Sequence, residues 1–344
     1  MNPNMHMDDH LAPLTWAQAF TTWRFAPITA TLVLIALALY LTAVIAARRG
    51  GMRWPLARTA SFTAGLAVVV AAIMGSPAVY GDAGLLWVHM IQHLMLIMVA
   101  PWLLCYGHPV TLLLRATRGS AHDRIEAIRH SRTVAVVTWP LTALAVYAVV
   151  LFGVHLSGFM DAMMSAPALM ALEHVLYLGG GYLYFSQLLT SDSPRSQLPY
   201  PLRLFSLFMG MSADTIVGIV LLQATHTPFP AYARMQPSWG PGPVADVQGA
   251  GAVMWIGGDG LMFVMMLVVA ATWLLDRSPE AAKAGTFLES ARQAALARTG
   301  HETLGDTGDT GDSDRERLRA SGDVDADDSA LEAYNALLAR LNTP

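Results

Sequence analysis

Seven stretches of the chain stay apolar long enough to cross the hydrocarbon core of a bilayer, which takes about 20 residues. They run near 28–47, 60–75, 85–105, 134–155, 167–189, 202–223 and 251–275. The pattern predicts an all-α integral membrane protein, a bundle of seven transmembrane helices. No internal repeat is visible, and the connecting loops are too short for a soluble domain. The third stretch interrupts its own apolarity. Across residues 86–109, the run LWVHMIQHLMLIMVAPWLLCYGHP sets His89, Gln92 and His93 among lipid-compatible side chains. Four residues on an α-helix turn through about 400°, so His89 and His93 share a face about 6 Å apart along the axis. Two imidazoles spaced this way are half of a common metal site. In a soluble helix, core histidines bonded to neighbouring helices would be the commoner explanation. Ionisable groups inside a membrane are costly and by default functional, which shifts the balance.

Charge orients the bundle. Arg48, Arg49, Arg53 and Arg58 follow the first stretch, and Arg115, Arg118, Arg124, Arg129 and Arg132 follow the third. Arg195 and Arg203 flank the loop after the fifth, and Arg277 and Lys283 follow the seventh; the opposite side carries only Arg24 and Arg234. Basic residues collect on the cytoplasmic side, so the N-terminus is expected outside and the C-terminus in the cytoplasm. The organisation that follows is a leader over 1–27 facing outward, a membrane domain over 28–275 and a cytoplasmic tail over 276–344.

Composition agrees with the pattern: 54% of residues are hydrophobic and 13% charged, against about 25% charged in soluble domains. One cysteine, Cys105, excludes an internal disulfide and a CxxC metal clip. Soft-metal chemistry would then fall to His and to the 19 Met, most of which are ordinary membrane filler. The leader has no basic n-region, so no cleaved signal is expected. Its Met5, His6, Met7 and His10 could capture a copper ion weakly or serve only as a polar lead-in. In the tail, residues 305–328 are acidic and Gly-rich, which predicts disorder. Residues 330–341 regain helical periodicity through Leu331, Tyr334, Leu338 and Leu341.

Depth then ranks the polar groups, at about 1.5 Å per helical residue. His89 and His93 fall about 6 and 12 Å below the outer surface, and Glu173 and His174 about 10 Å. His155 ends the fourth stretch at that surface, and His226 follows the outer end of the sixth. Asp214 is near mid-membrane, Asp246 precedes the seventh stretch, and Asp259 lies about 12 Å inside it. These groups come from several helices, and all fall in the outer half. Each charged group near the bilayer centre costs about 2.5–3.5 kcal/mol, so they are expected to face one another. The candidate metal ligands are therefore His89, His93, His155, Glu173, His174, His226, Asp246 and Asp259, with an ion-free hydrogen-bond network as the alternative.

Three separated blocks carry a resemblance: WVHMIQHLMLIMVAPWLLCYGHP, then ALEHVLYLGGGYLYF, then DVQGAGAVMWIGGD. In order and spacing they resemble the signature stretches of the CtaG-like cytochrome c oxidase assembly proteins of bacteria. The resemblance implies a seven-span protein of the bacterial plasma membrane that serves caa-type haem-copper oxidase biogenesis. By position it picks out His89, Gln92, His93, Glu173, His174, Asp246 and Gln248. Gly257 and Gly258 depart from the pattern, standing where many members have proline, and the acidic tail is outside the shared core. The function expected is an assembly factor, not an enzyme, that binds copper at the His/carboxylate cluster. Its partners would be the lipid bilayer and an oxidase subunit or another copper chaperone, with no nucleic acid. Other classes remain open. An intramembrane zinc hydrolase would use His89, His93 and His174 as ligands with Glu173 or Asp259 as base. A copper permease or a haem-binding membrane protein would use the same polar groups differently.

Overall fold

The first long helix, Pro27–Arg49, starts on a proline whose missing N–H costs nothing at that position and ends at Gly50. It is almost entirely apolar, and Ile28, Leu32, Leu34 and Leu39 are largely exposed along it, as lipid-facing side chains would be. The computed structural model describes residues 11–189 and 198–275. The expectations for Met5, His6, Met7 and His10 and for the tail over 276–344 lie outside the described residues, as does Arg195. One compact unit takes in residues 1–198 and 202–270; the second, 199–201 with 271–344, is described only at 199–201 and 271–275.

Among the described residues every regular element is helical, and five helices are long and apolar enough to cross a membrane. These are Pro27–Arg49, Leu56–Asp82, Leu86–Ala116, Tyr200–Leu222 and Pro243–Leu275. The expected fourth and fifth spans are present as helices but fall outside that set. Pro140–His155 has only 16 residues, because Pro140 opens it and the chain ahead of it forms the separate short helix Arg132–Val137. Pro167–Leu189 has 23 residues, but Glu173, His174 and three consecutive glycines dilute its apolar character.

Two helices run longer than their apolar stretches. Leu86–Ala116 and Pro243–Leu275 each contain a π-helical turn, at Met95–Val99 and at Val253–Gly258. Such turns insert a residue into the helical ladder and are frequent at functional sites. The helix that carries His89 and His93 is mostly buried, whereas Pro27–Arg49 is mostly exposed. Ser76–Asp82 and Pro243–Ala252 pack against its first turns, and Pro167–Leu189 packs against its π turn.

Close approach at that turn depends on Gly181. A Cβ built there would lie 2.0 Å from the Ile97 carbonyl oxygen. Ile97 is also the residue whose carbonyl would normally accept from position 101, and Pro101 has no N–H to donate. The missing side chain on one helix and the missing donor on the other let the two backbones meet. A similar fit at Gly251, whose Cβ would sit 2.3 Å from the Leu222 nitrogen, brings Pro243–Ala252 against Tyr200–Leu222.

Candidate metal centre

His89 and His93 lie one helical turn apart on Leu86–Leu94, with ring centroids 4.2 Å apart, and both are buried. Glu173 projects from Pro167–Leu189 into the same space and is fully buried. Its Oε1 lies 3.0 Å from His93 Nε2, and its Oε2 lies 3.5 Å from His89 Nε2 without hydrogen-bond geometry. One donor atom from each of the three can be chosen so that all lie within 4.8 Å of one another. Among the described residues this is the one group of three His, Cys, Asp or Glu that could hold a metal ion.

The hydrogen-bond network assigns the protons. His155 Nδ1 lies 2.9 Å from the Leu151 carbonyl oxygen, which can only accept, so Nδ1 carries the proton and Nε2 is a bare lone pair. His93 Nδ1, 3.2 Å from His155 Nε2, therefore donates to it. His93 Nε2 in turn lies 3.0 Å from Glu173 Oε1 in hydrogen-bond geometry, and an ionised carboxylate can only accept, so with no ion bound the two contacts call for a proton on each nitrogen of His93. Neither nitrogen of His89 has a hydrogen-bond partner, and neither does Glu173 Oε2. Buried groups of this kind cost about 1–3 kcal/mol each when unsatisfied. A cation among His89, His93 and Glu173 would satisfy them together, so the residues fit a metal ion.

Surrounding side chains hold this arrangement in place. Gly81 packs flat on His89, where a Cβ would lie 3.2 Å from Nδ1. The Tyr177 ring stacks on His93 at 4.3 Å, and its hydroxyl lies 3.3 Å from His155 Nδ1. Tyr232 closes the opposite side, its ring 5.7 Å from His89. A small cleft lined by Leu86, Phe229, Tyr232, Gln236 and Asp246 borders Tyr232.

Of the residues expected from sequence, His89, His93 and Glu173 come together, and His155 adjoins them through His93. The others are placed elsewhere. His174, one residue past Glu173 and so about 100° around the helix, accepts from Gln92 Nε2 at 3.1 Å. Asp246 caps the His helix instead: its two oxygens accept from the backbone N–H groups of Leu86 and Trp87 at 2.9 and 3.0 Å, and from Gln236. Asp259 accepts from the Thr215 hydroxyl at 2.8 Å, and Gln248 donates to the Ala224 carbonyl. His226 is exposed. Asp214 is fully buried away from the cluster and accepts from the Tyr147 hydroxyl at 3.2 Å. Sequence reasoning missed Met90, whose Sδ lies 3.3 Å from His155 Nε2, and Tyr177. Their signals were the i, i+3 spacing of Met90 to His93 and the i, i+4 spacing of Glu173 to Tyr177.

Asp246 has a measurable consequence. Removing its carboxylate leaves two N–H groups at the start of the His helix without an acceptor, and losing such a cap costs about 0.5–2 kcal/mol. Asp246→Ala is expected to lower thermal stability in detergent by that amount, and Asp246→Asn by less, because one oxygen remains. Unchanged melting of the alanine variant would mean that the cap does not anchor the helix.

A sequence profile described as cytochrome c oxidase caa3 assembly factor matches residues 38–276, more than half of the chain. Uncharacterized protein Mb0105 of Mycobacterium bovis is 26% identical over 338 residues, covering 96% of this chain and 46% of that protein. Uncharacterized protein ML1998 of Mycobacterium leprae is 26% identical over 266 residues, covering 74% of this chain and 40% of that protein. The chain thus spans less than half the length of these curated relatives. No solved structure matches.

Proposed function

The chain belongs to the cytochrome c oxidase caa3 assembly factor family, and on that premise we propose that it binds copper at His89, His93 and Glu173 and delivers it to an oxidase subunit. The observation that carries the reading is the buried meeting of His89, His93 and Glu173, in which both His89 nitrogens and Glu173 Oε2 lack a hydrogen-bond partner. Imidazole suits copper as well as zinc. The ion is cargo, so its site must release it, and the cleft beside Tyr232 and Asp246 is the candidate route. The setting is a seven-span bundle in the bacterial plasma membrane, N-terminus outside, with Pro140–His155 and Pro167–Leu189 completing the count. The basic loops around Arg48, Arg58, Arg115 and Arg132 support the orientation. Delivery outward suits a cluster reached from that side, and the receiving partner is an oxidase subunit or another copper chaperone.

Metal analysis of the purified protein tests the reading directly: about one copper per chain is expected after copper loading and desalting. A chain that retains no copper overturns it. Two His and one Glu are also the donor set of several catalytic zinc sites, so a zinc hydrolase is the second reading. Tight zinc with no retained copper would favour it. Reporter fusions check the topology: those after Arg58, Arg132 and Pro199 should report cytoplasm, and those after Ala83, Ser165 and Pro237 the outside. An outside signal at Arg132 would invert the bundle and put the cleft on the wrong face.

A further inference from the structure

His93 faces two ways. Its Nε2 points at Glu173, while its Nδ1 points at His155 Nε2, which is also in contact with Met90 Sδ. Met90 and His155 are buried, and Met90 shares a helical face with His93 three residues on. The contact between Met90 and His155 is chemically odd. The His155 proton is on Nδ1, held by the Leu151 carbonyl oxygen, so Nε2 offers only a lone pair. A thioether sulfur also has only lone pairs and no proton to give. Two electron donors therefore meet at 3.3 Å, and His93 Nδ1, 3.2 Å from the same nitrogen, becomes a third once its proton is displaced.

From this geometry we infer that Met90, His155 and His93 Nδ1 form a second, softer metal position, selective for Cu(I), beside the one made by His89, His93 and Glu173. The inference rests on the copper reading above and adds a ligand set and an oxidation state to it. The spacing is that of donors on one ion. A d10 ion bonded at about 2.0 Å to nitrogen and about 2.3 Å to sulfur holds such donors roughly 3.3–3.5 Å apart at tetrahedral angles. The two separations, 3.3 Å from His155 Nε2 to Met90 Sδ and 3.2 Å to His93 Nδ1, are within about 0.2 Å of the values such bond lengths give. Thioether sulfur selects Cu(I) over harder ions, whereas carboxylate suits Cu(II) and Zn²⁺. The backbone bond to His155 Nδ1 is the kind of outer contact that fixes a ligating imidazole with Nε2 free.

Sharing His93 makes the two positions exclusive. A neutral imidazole has one proton and offers a lone pair to one side at a time. An ion at the Glu173 side needs the proton on Nδ1, donated to His155. An ion at the Met90 side needs it on Nε2, donated to Glu173 Oε1, which lies 3.0 Å away. The incoming ion displaces the proton on the nitrogen it binds and leaves the other in place, and nothing is oxidised or reduced. The two positions are therefore filled one at a time.

X-ray absorption on the full-length protein in detergent tests this. With Cu(I) loaded, a sulfur neighbour at about 2.3 Å is expected in the wild type, absent in Met90→Leu and retained in Glu173→Gln. With Zn²⁺ loaded, only nitrogen and oxygen neighbours are expected. Met90→Leu conserves volume, and it should weaken Cu(I) binding by about 10-fold or more while leaving Zn²⁺ binding unchanged. Unchanged Zn²⁺ binding also shows that the variant is folded. Met265→Leu, a buried methionine on Asp259–Leu275, should change neither metal. A Cu(I) shell without sulfur, or one whose sulfur survives in Met90→Leu, overturns the second position. If that Cu(I) is lost in Glu173→Gln, the His89/His93/Glu173 reading still stands. Failure of both metals to bind the wild type sinks both.

Discussion

Glu173→Gln is expected to remove most retention of divalent metal, by about 100-fold or more, while the protein still inserts and folds. The change is isosteric and deletes one charge. An amide can present a single acceptor oxygen to His89 and His93 where the carboxylate presents two, and its NH2 group would point a proton at a lone pair. Loss of a supporting contact around a metal typically costs 10–100-fold, and a residue that touches the ion should exceed that range. His89→Ala and His93→Ala are expected to match it. The larger effect belongs to His93, because its ring also links His155 to Glu173. Cells that depend on the oxidase should lose mature enzyme in parallel with lost copper. His122→Ala is the control. Its ring bonds the Leu114 carbonyl in the basic loop, far from the cluster in the chain, and metal retention should not change. Glu173→Gln protein that still holds stoichiometric metal would make the carboxylate a structural partner of two histidines and nothing more.

Gly181→Val carries the largest expected effect on folding. The first atom added, a Cβ, would lie 2.0 Å from the Ile97 carbonyl oxygen, and a backbone atom cannot rotate away as a side chain can. Overpacking a well-fitted core costs about 1–3 kcal/mol and more where backbone must move. Here the movement separates the helix carrying Glu173 from the helix carrying His89 and His93. Expression should fall, and whatever protein inserts should have lost metal binding as well as stability. Gly179→Ala, whose Cβ would meet nothing within 4 Å, should behave as wild type. Equal behaviour of the two variants would show that the helices do not approach at Gly181 as described.

The candidate site was legible in the sequence to an uneven degree. His89 and His93 declared themselves, because a four-residue spacing on a helix fixes a shared face whatever surrounds it. Glu173 and His174 declared themselves only as a pair. Which of the two turned inward depended on the rotation of Pro167–Leu189 about its own axis, and that rotation is set by contacts such as Gly181 on Ile97. Adjacent residues on a helix point about 100° apart, so one faces the cluster and the other faces Gln92. Asp246 and Asp259 were at plausible depth, but depth is one coordinate of three. Asp246 turned out to sit over the first turn of the His helix, where exposed N–H groups draw a carboxylate.

What the sequence by itself determined is the helical class and the apolar stretches, with His89 and His93 on one face of one of them. These follow from local rules: hydrocarbon excludes unpaired backbone groups, so apolar runs become helices, and periodicity assigns faces along each one. Tertiary structure alone decided which polar groups share protons. The side chains that meet at Glu173 and at Met90 come from three helices, and their meeting depends on translations and rotations of a few ångströms and tens of degrees. Those displacements were decided by packing between helices, at a missing Cβ, a proline without an N–H and a π turn. None of these changes the hydrophobic pattern that a single sequence displays.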